Sequence, residues 1–138
     1  MKTTVTLFIA AALFSACGSA LSYDVKGSQL SPGADATINA DVQKERHLTK
    51  LEVEATNLAP AERVGEGATT YVVWARPNFR TPWSRLGALN LASDGRSGTA
   101  SLTYAETSFD VIVTAEPDPE VNSPSDMQLF KQHVGEKS

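Results

Sequence analysis

Cysteine is nearly missing: Cys17 is the single one in 138 residues, and it stands in the N-terminal segment. No disulfide can form within the chain, so the body must be held by its own core, and no body cysteine is present to serve as a nucleophile. Histidine is almost as scarce. His47 and His133 are far apart and flanked by charged or polar residues, which is the pattern of surface histidines rather than of a zinc or copper centre. Basic residues are outnumbered, 12 against 16 acidic, for a formal charge of -4, and an acidic chain lacks the basic face that phosphate binding needs. Nucleic acid is set aside as a partner. No G-x-S-x-G elbow presents a serine nucleophile, and nothing marks a cofactor site. These absences predict a chain without catalytic activity and without a cofactor.

The N-terminus carries the most specific signal. Lys2 is followed by an uncharged, largely apolar run from Val5 to Phe14, the pattern of an export signal and shorter than the about 20 residues a spanning helix takes. Leu13, Phe14, Ser15, Ala16 and Cys17 resemble the lipobox of bacterial lipoproteins, with Phe14 where leucine is usual. The resemblance implies cleavage before Cys17, diacylglycerol on its sulfur and a further acyl chain on the new amine. Two or three such chains, at about 0.8 kcal/mol per buried methylene, hold a protein stably at a membrane. Gly18 stands where an aspartate would signal inner-membrane retention in enteric bacteria, which points to the outer membrane. The alternative is ordinary cleavage after Ala20, since Gly18, Ser19 and Ala20 also form a small-residue site, and its product would be a soluble secreted or periplasmic chain.

After the signal segment, residues 1–20, a polar stretch over 21–33 closes with Ser31, Pro32 and Gly33 and reads as a tether or a short edge strand. Strand patterns then fill 34–134, leaving 135–138 as a tail. Ala36, Ile38, Ala40 and Val42 alternate with polar residues, as do Leu51, Val53 and Ala55, with a turn at Gln43 to His47 between them. Tyr71, Val72, Val73 and Trp74 form a continuous apolar run, the mark of a strand covered on both faces. Trp83 to Leu91, Thr99 to Tyr104 and Phe109 to Val113 add strands. Met127 to Val134 predicts a closing strand or a short helix. About seven short strands with regular turn signals, and no convincing amphipathic helix, predict an all-β antiparallel sandwich of immunoglobulin-like type.

From Leu58 onward the order of features resembles the extracytoplasmic, C-terminal domain of anti-sigma-K factors and related envelope proteins. The matching pieces are Tyr71 to Trp74, Leu86 to Leu89, Asp94 with Gly95, Val113 to Pro117, then Pro124 and Leu129. Those regulators carry a sigma-binding domain and a spanning helix ahead of the sandwich, which this sequence does not show. What the resemblance implies is a stand-alone envelope module used for protein contacts, without sigma-factor binding.

Two charge blocks in the body are candidate surfaces. Arg76, Arg80 and Arg85 occur between Thr69 and Ser93 without a single acid, and the segment from Asn78 to Pro82 contains Phe79 and is followed directly by Trp83. Aromatic and arginine side chains on a loop tip are the types enriched at binding hot spots, so Phe79, Arg80, Trp83, Arg76 and Arg85 form the predicted contact surface for an envelope protein partner. The competing reading puts Trp74 and Trp83 in the core and leaves the arginines as solubilising edge charges. The second block runs from Glu106 through Asp110, Glu116, Asp118 and Glu120 to Asp126 with no lysine or arginine. A calcium or small-ligand sensor using the loop 117–126 is the alternative function, although EF-hand spacing is absent. The main expectation is a lipid-anchored, non-catalytic envelope module tied to the membrane through Cys17.

Overall fold

The computed structural model describes residues 19–136, so residues 1–18 of the predicted export segment, with Cys17, and the last two residues lie outside it. Alternation dictates the first pair of strands. In β2 (Asp35–Gln43) and β3 (Leu48–Thr56) every second residue is buried, and the register sets Ala36 opposite Ala55, Ile38 opposite Val53 and Ala40 opposite Leu51. One face thus enters the core while Lys50, Glu52 and Glu54 face water.

The polar stretch 21–33 is not a free tether. Its first half belongs to β1 (Ser19–Lys26), an edge strand paired with β2 over its full length from Ser19 opposite Val42 to Lys26 opposite Asp35. Leu21, Tyr23 and Val25 pack inward while Ser22, Asp24 and Lys26 are exposed, which is again a period of two. The sandwich therefore starts well ahead of residue 34.

After a connection containing one turn of helix, α1 (Ala61–Val64), the chain forms β4 (Thr70–Arg76), β5 (Ser84–Ala88), β6 (Asn90–Leu91), β7 (Gly98–Tyr104), β8 (Phe109–Glu116) and β9 (Gln128–Val134). One antiparallel sheet has the order β1-β2-β3-β7-β6 and the other β5-β4-β8-β9. The protein is an all-β sandwich with nine strand segments among the described residues. The number exceeds seven because β1 is a strand and because the predicted strand from Trp83 to Leu91 divides, β5 joining one sheet and β6 the other. Residues 127–134 resolve as strand rather than helix.

The main core lies between the sheets, with Ile38, Leu51 and Val53 from one facing Tyr71, Phe109 and Phe130 from the other. The Tyr71 hydroxyl donates to the Ala59 carbonyl, and burial pushes its pKa up to about 12, with Glu62 nearby acting in the same direction. The continuous apolar run in β4 is covered on both faces, as its composition predicts. Tyr71, Val73 and Ala75 enter the main core. Val72 and Trp74 point outward into a second cluster with Ile112, closed by Trp83, Ala88 and Val121.

Candidate functional site

Strand directions sort the loops into two ends. β1 begins beside Val42, β4 ends at Arg76 opposite Asp110, and β9 ends at Val134 opposite Phe109. The start of β1, the β2–β3 turn, the β4–β5 loop, the β7–β8 loop and the C-terminal residues thus share one end of the sandwich, here called the tether end. Residues 27–34, the β3–β4 connection and the β6–β7 turn lie at the other.

At the tether end the β4–β5 loop is a built structure. The Asn78 carboxamide oxygen accepts from the Arg80 amide at 2.9 Å and from the Thr81 hydroxyl at 3.2 Å, and the Thr81 amide donates to the Asn78 carbonyl. This side-chain turn fixes the tip and holds Phe79 outward. Phe79 is 75% exposed, against 41% for Leu30, the next large apolar side chain in order of exposure. The Arg80 guanidinium stands 5.5 Å from the Phe79 ring centroid.

The other three residues of the predicted contact surface are tied to the protein itself, Trp83 and Arg76 half-buried and Arg85 at the surface. Trp83 packs against the outer cluster, and the Arg76 guanidinium lies 4.1 Å above its ring, a cation–π stack. Arg85 donates to the carbonyl oxygens of Glu120 and Val121 at 3.0 and 2.6 Å and meets the Glu120 carboxylate at 3.3 Å. The arginine block and the acidic block, separate in sequence, are two halves of one lid over Trp74. Phe79 and Arg80 project from it without a hydrogen bond from either side chain to the rest of the lid among the described residues.

Beneath the lid runs a buried polar chain. Trp74 Nε1 donates to the Thr114 hydroxyl at 2.8 Å, that hydroxyl donates to the Glu116 carboxylate, and the same carboxylate oxygen accepts from the Ser125 amide at 2.8 Å. Thr114 and Glu116 are buried, and these bonds replace the water each has lost. In the acidic loop, Glu116 is thus held internally, Glu120 meets Arg85, and Asp118 accepts from the Glu120 amide at 2.8 Å. Among the described residues no three His, Cys, Asp or Glu side chains are grouped so as to share a cation.

Sequence reasoning missed one constellation. Ser108 lies just before β8 and Asp110 is the second residue of that strand, and the register puts His133 of β9 opposite Asp110. His133 Nδ1 is 2.8 Å from Asp110 Oδ1, and Nε2 is 3.3 Å from Ser108 Oγ. The spacing of Ser108 and Asp110 was readable, but the pairing with His133 depends on a register that no local pattern supplies. A serine acts as a nucleophile when the imidazole takes its proton. Here the Ser108 hydroxyl donates instead to the Glu136 carbonyl at 2.6 Å, and that oxygen is also 3.1 Å from His133 Nε2. The nearby pocket of about 210 Å³ is lined by Leu21, Val42, Thr107 and Ser108 among others, but by neither Asp110 nor His133. The three side chains fasten the C-terminal residues onto β8. Gly135 makes this possible with φ at +94°, since a Cβ there would collide with the Thr107 carbonyl oxygen.

No protein-family model, no curated protein and no solved structure matches this chain.

Proposed function

We propose that the chain is a lipid-anchored envelope protein whose sandwich is a non-catalytic binding module, with the β4–β5 tip as its contact surface. The observation that carries this reading is Phe79, a large aromatic side chain held out in water by a turn that is itself hydrogen-bonded, with Arg80 beside it. An aromatic and an arginine side by side on an ordered loop are the residue types enriched at contact hot spots.

Anchoring through Cys17 is supported by the start of β1. A cut before Cys17 leaves β1 whole, whereas a cut after Ala20 removes its first two residues, which pair with Val42 and Asp41. A location at the outer membrane is the form of anchoring that Gly18 favours. The likeness to the extracytoplasmic domain of anti-sigma-K factors, with its immunoglobulin-like sandwich, belongs to the same proposal, and the two antiparallel sheets support it in architecture only.

The test is protection of the tip. A Pro82→Cys variant, which keeps Phe79 and Arg80, and a Ser93→Cys control at the opposite end are treated with a soluble thiol reagent, both as purified protein and in intact native envelopes. A contact surface predicts a several-fold slower reaction at position 82 in envelopes and no slowing at position 93. Equal rates at both positions would refute the assignment of the tip.

A further inference from the structure

We infer that the component contacted by the β4–β5 tip is the membrane surface itself: the tether end docks on anionic lipid headgroups, with Phe79 entering the interface and Arg80 pairing with phosphate. The inference rests on the anchoring reading above and names the partner of its contact surface.

Chain length provides the first argument. Only Gly18 separates Cys17 from the start of β1, and two residues reach at most about 7 Å. An acylated Cys17 therefore holds the tether end, and not some other face, against the headgroups. Charges at that end come within about a Debye length of the surface, roughly 8–10 Å, where they are felt. The β4–β5 loop leaves the same end, from a strand two places in from β9. On that loop the large apolar side chain in water is Phe79.

Charge supplies the second. At the tether end Lys44, Arg46 and Arg80 balance Glu45, Glu106 and Glu136, and the tip segment contains no acid at all. The opposite end is acidic, with Glu62, Glu66 and Asp94 against Arg63 and Arg96, and the acidic loop 117–126 starts there. An anionic surface repels that end and accepts the tether end, so charge and tether favour the same orientation.

The chemistry of the tip fits an interface better than a deep apolar pocket. Phe79 supplies an apolar ring, and the arginine beside it has a stem that can lie along apolar surface while its head meets phosphate. One aromatic and one cation would bind a bilayer only weakly from solution. Linked to an acyl anchor the contact becomes intramolecular, and a weak contact is then enough to set orientation.

The test uses the full chain, expressed with its own signal and reconstituted in vesicles of phosphatidylethanolamine and phosphatidylglycerol. Pro82→Cys, which keeps Phe79 and Arg80, or Ser93→Cys carries an environment-sensitive fluorophore, since an acylated Cys17 leaves the introduced thiol as the one that reacts. Docking predicts blue-shifted emission at position 82, quenched several-fold by headgroup-level spin-labelled lipid, with position 93 remaining aqueous. It further predicts that the shift weakens with Phe79→Ser, with Arg80→Glu and when phosphatidylglycerol is replaced by phosphatidylcholine. A chain that floats with the vesicles while position 82 stays aqueous overturns docking and leaves the anchor standing. A blue shift that spin-labelled lipid does not quench means that protein covers the tip, and this also overturns docking. A chain that stays in solution overturns the anchor, and docking with it.

Discussion

The Arg85 guanidinium donates to the Val121 carbonyl oxygen at 2.6 Å, joining the edge strand β5 to a loop 36 residues further along the chain. The bond closes the lid on Trp74 from one side, as Trp83 under Arg76 closes it from the other. With the loop held down, Trp74 and Ile112 on the outer face of the second sheet are covered, and the polar chain from Trp74 through Thr114 to Glu116 is shielded from water.

Arg85→Ala should therefore loosen 117–126 more than the rest of the molecule. Its bonds run to carbonyl groups in a partly exposed site, so the expected loss of stability is modest, about 1 kcal/mol. Hydrogen exchange should accelerate at Glu120 and Ser125 while the amides of β2 and β3 stay protected. Uniform acceleration across the sandwich would mean that Arg85 supports the global fold instead.

Thr114→Val removes the hydroxyl that accepts from Trp74 and donates to Glu116. The shape is nearly kept, but an indole N–H and part of a carboxylate lose their partner inside the protein. Leaving buried polar groups unpaired costs roughly 1–3 kcal/mol each, so a loss of about 2–4 kcal/mol in denaturant unfolding is expected. Thr114→Ser, which keeps the hydroxyl, should recover most of it.

Much of the fold was legible because the buried faces follow local periods. Ala36 to Val42 and Leu51 to Ala55 show their alternation directly, and the unbroken run from Tyr71 to Trp74 announces two covered faces. β1 carried the same signal in Leu21, Tyr23 and Val25, but the polar residues between them and the Ser31, Pro32, Gly33 turn gave the stretch the look of a linker. What covers Trp74 was not legible. Arg85 and Val121, or Trp74 and Thr114, meet through strand order, and strand order is set by long-range packing. The same holds for the site: composition singled out all five residues of the predicted surface, yet only the fold separates Phe79 and Arg80, which project, from Arg76 and Trp83, which stack on each other, and Arg85, which is bonded to the loop 117–126.

Alkaline pH should expose the burial of Tyr71. Its phenol titrates near 10.0 when unfolded and at about 12 in the folded chain, so folding favours the neutral form. The stability this gives is complete below pH 10.0 and is lost as pH rises from there through about 12. Tyr71→Phe also lacks the bond to the Ala59 carbonyl, worth about 1 kcal/mol. The wild-type Tm should thus exceed that of the variant by a constant margin up to pH 10.0, and the margin should shrink above it. A margin unchanged well into the alkaline range would contradict the burial account.

Gly135→Ala should undo the C-terminal fastening. The positive φ is costly for alanine, and the added carbon meets the Thr107 carbonyl, so the Glu136 carbonyl must leave Ser108 and His133. A loss of about 1–2 kcal/mol is expected, with faster exchange confined to the end of β9. Ser108→Ala should reproduce part of this effect, and unchanged exchange in both variants would show that the fastening contributes nothing.

The most direct test of the account is the intact mass and membrane partitioning of the mature protein from its native envelope, beside a Cys17→Ser variant. The account predicts a chain that begins at Cys17, carries the mass of two or three acyl chains there, and leaves the membrane fraction when the cysteine is replaced. An unmodified chain beginning at Leu21, equally soluble with and without the cysteine, would contradict it.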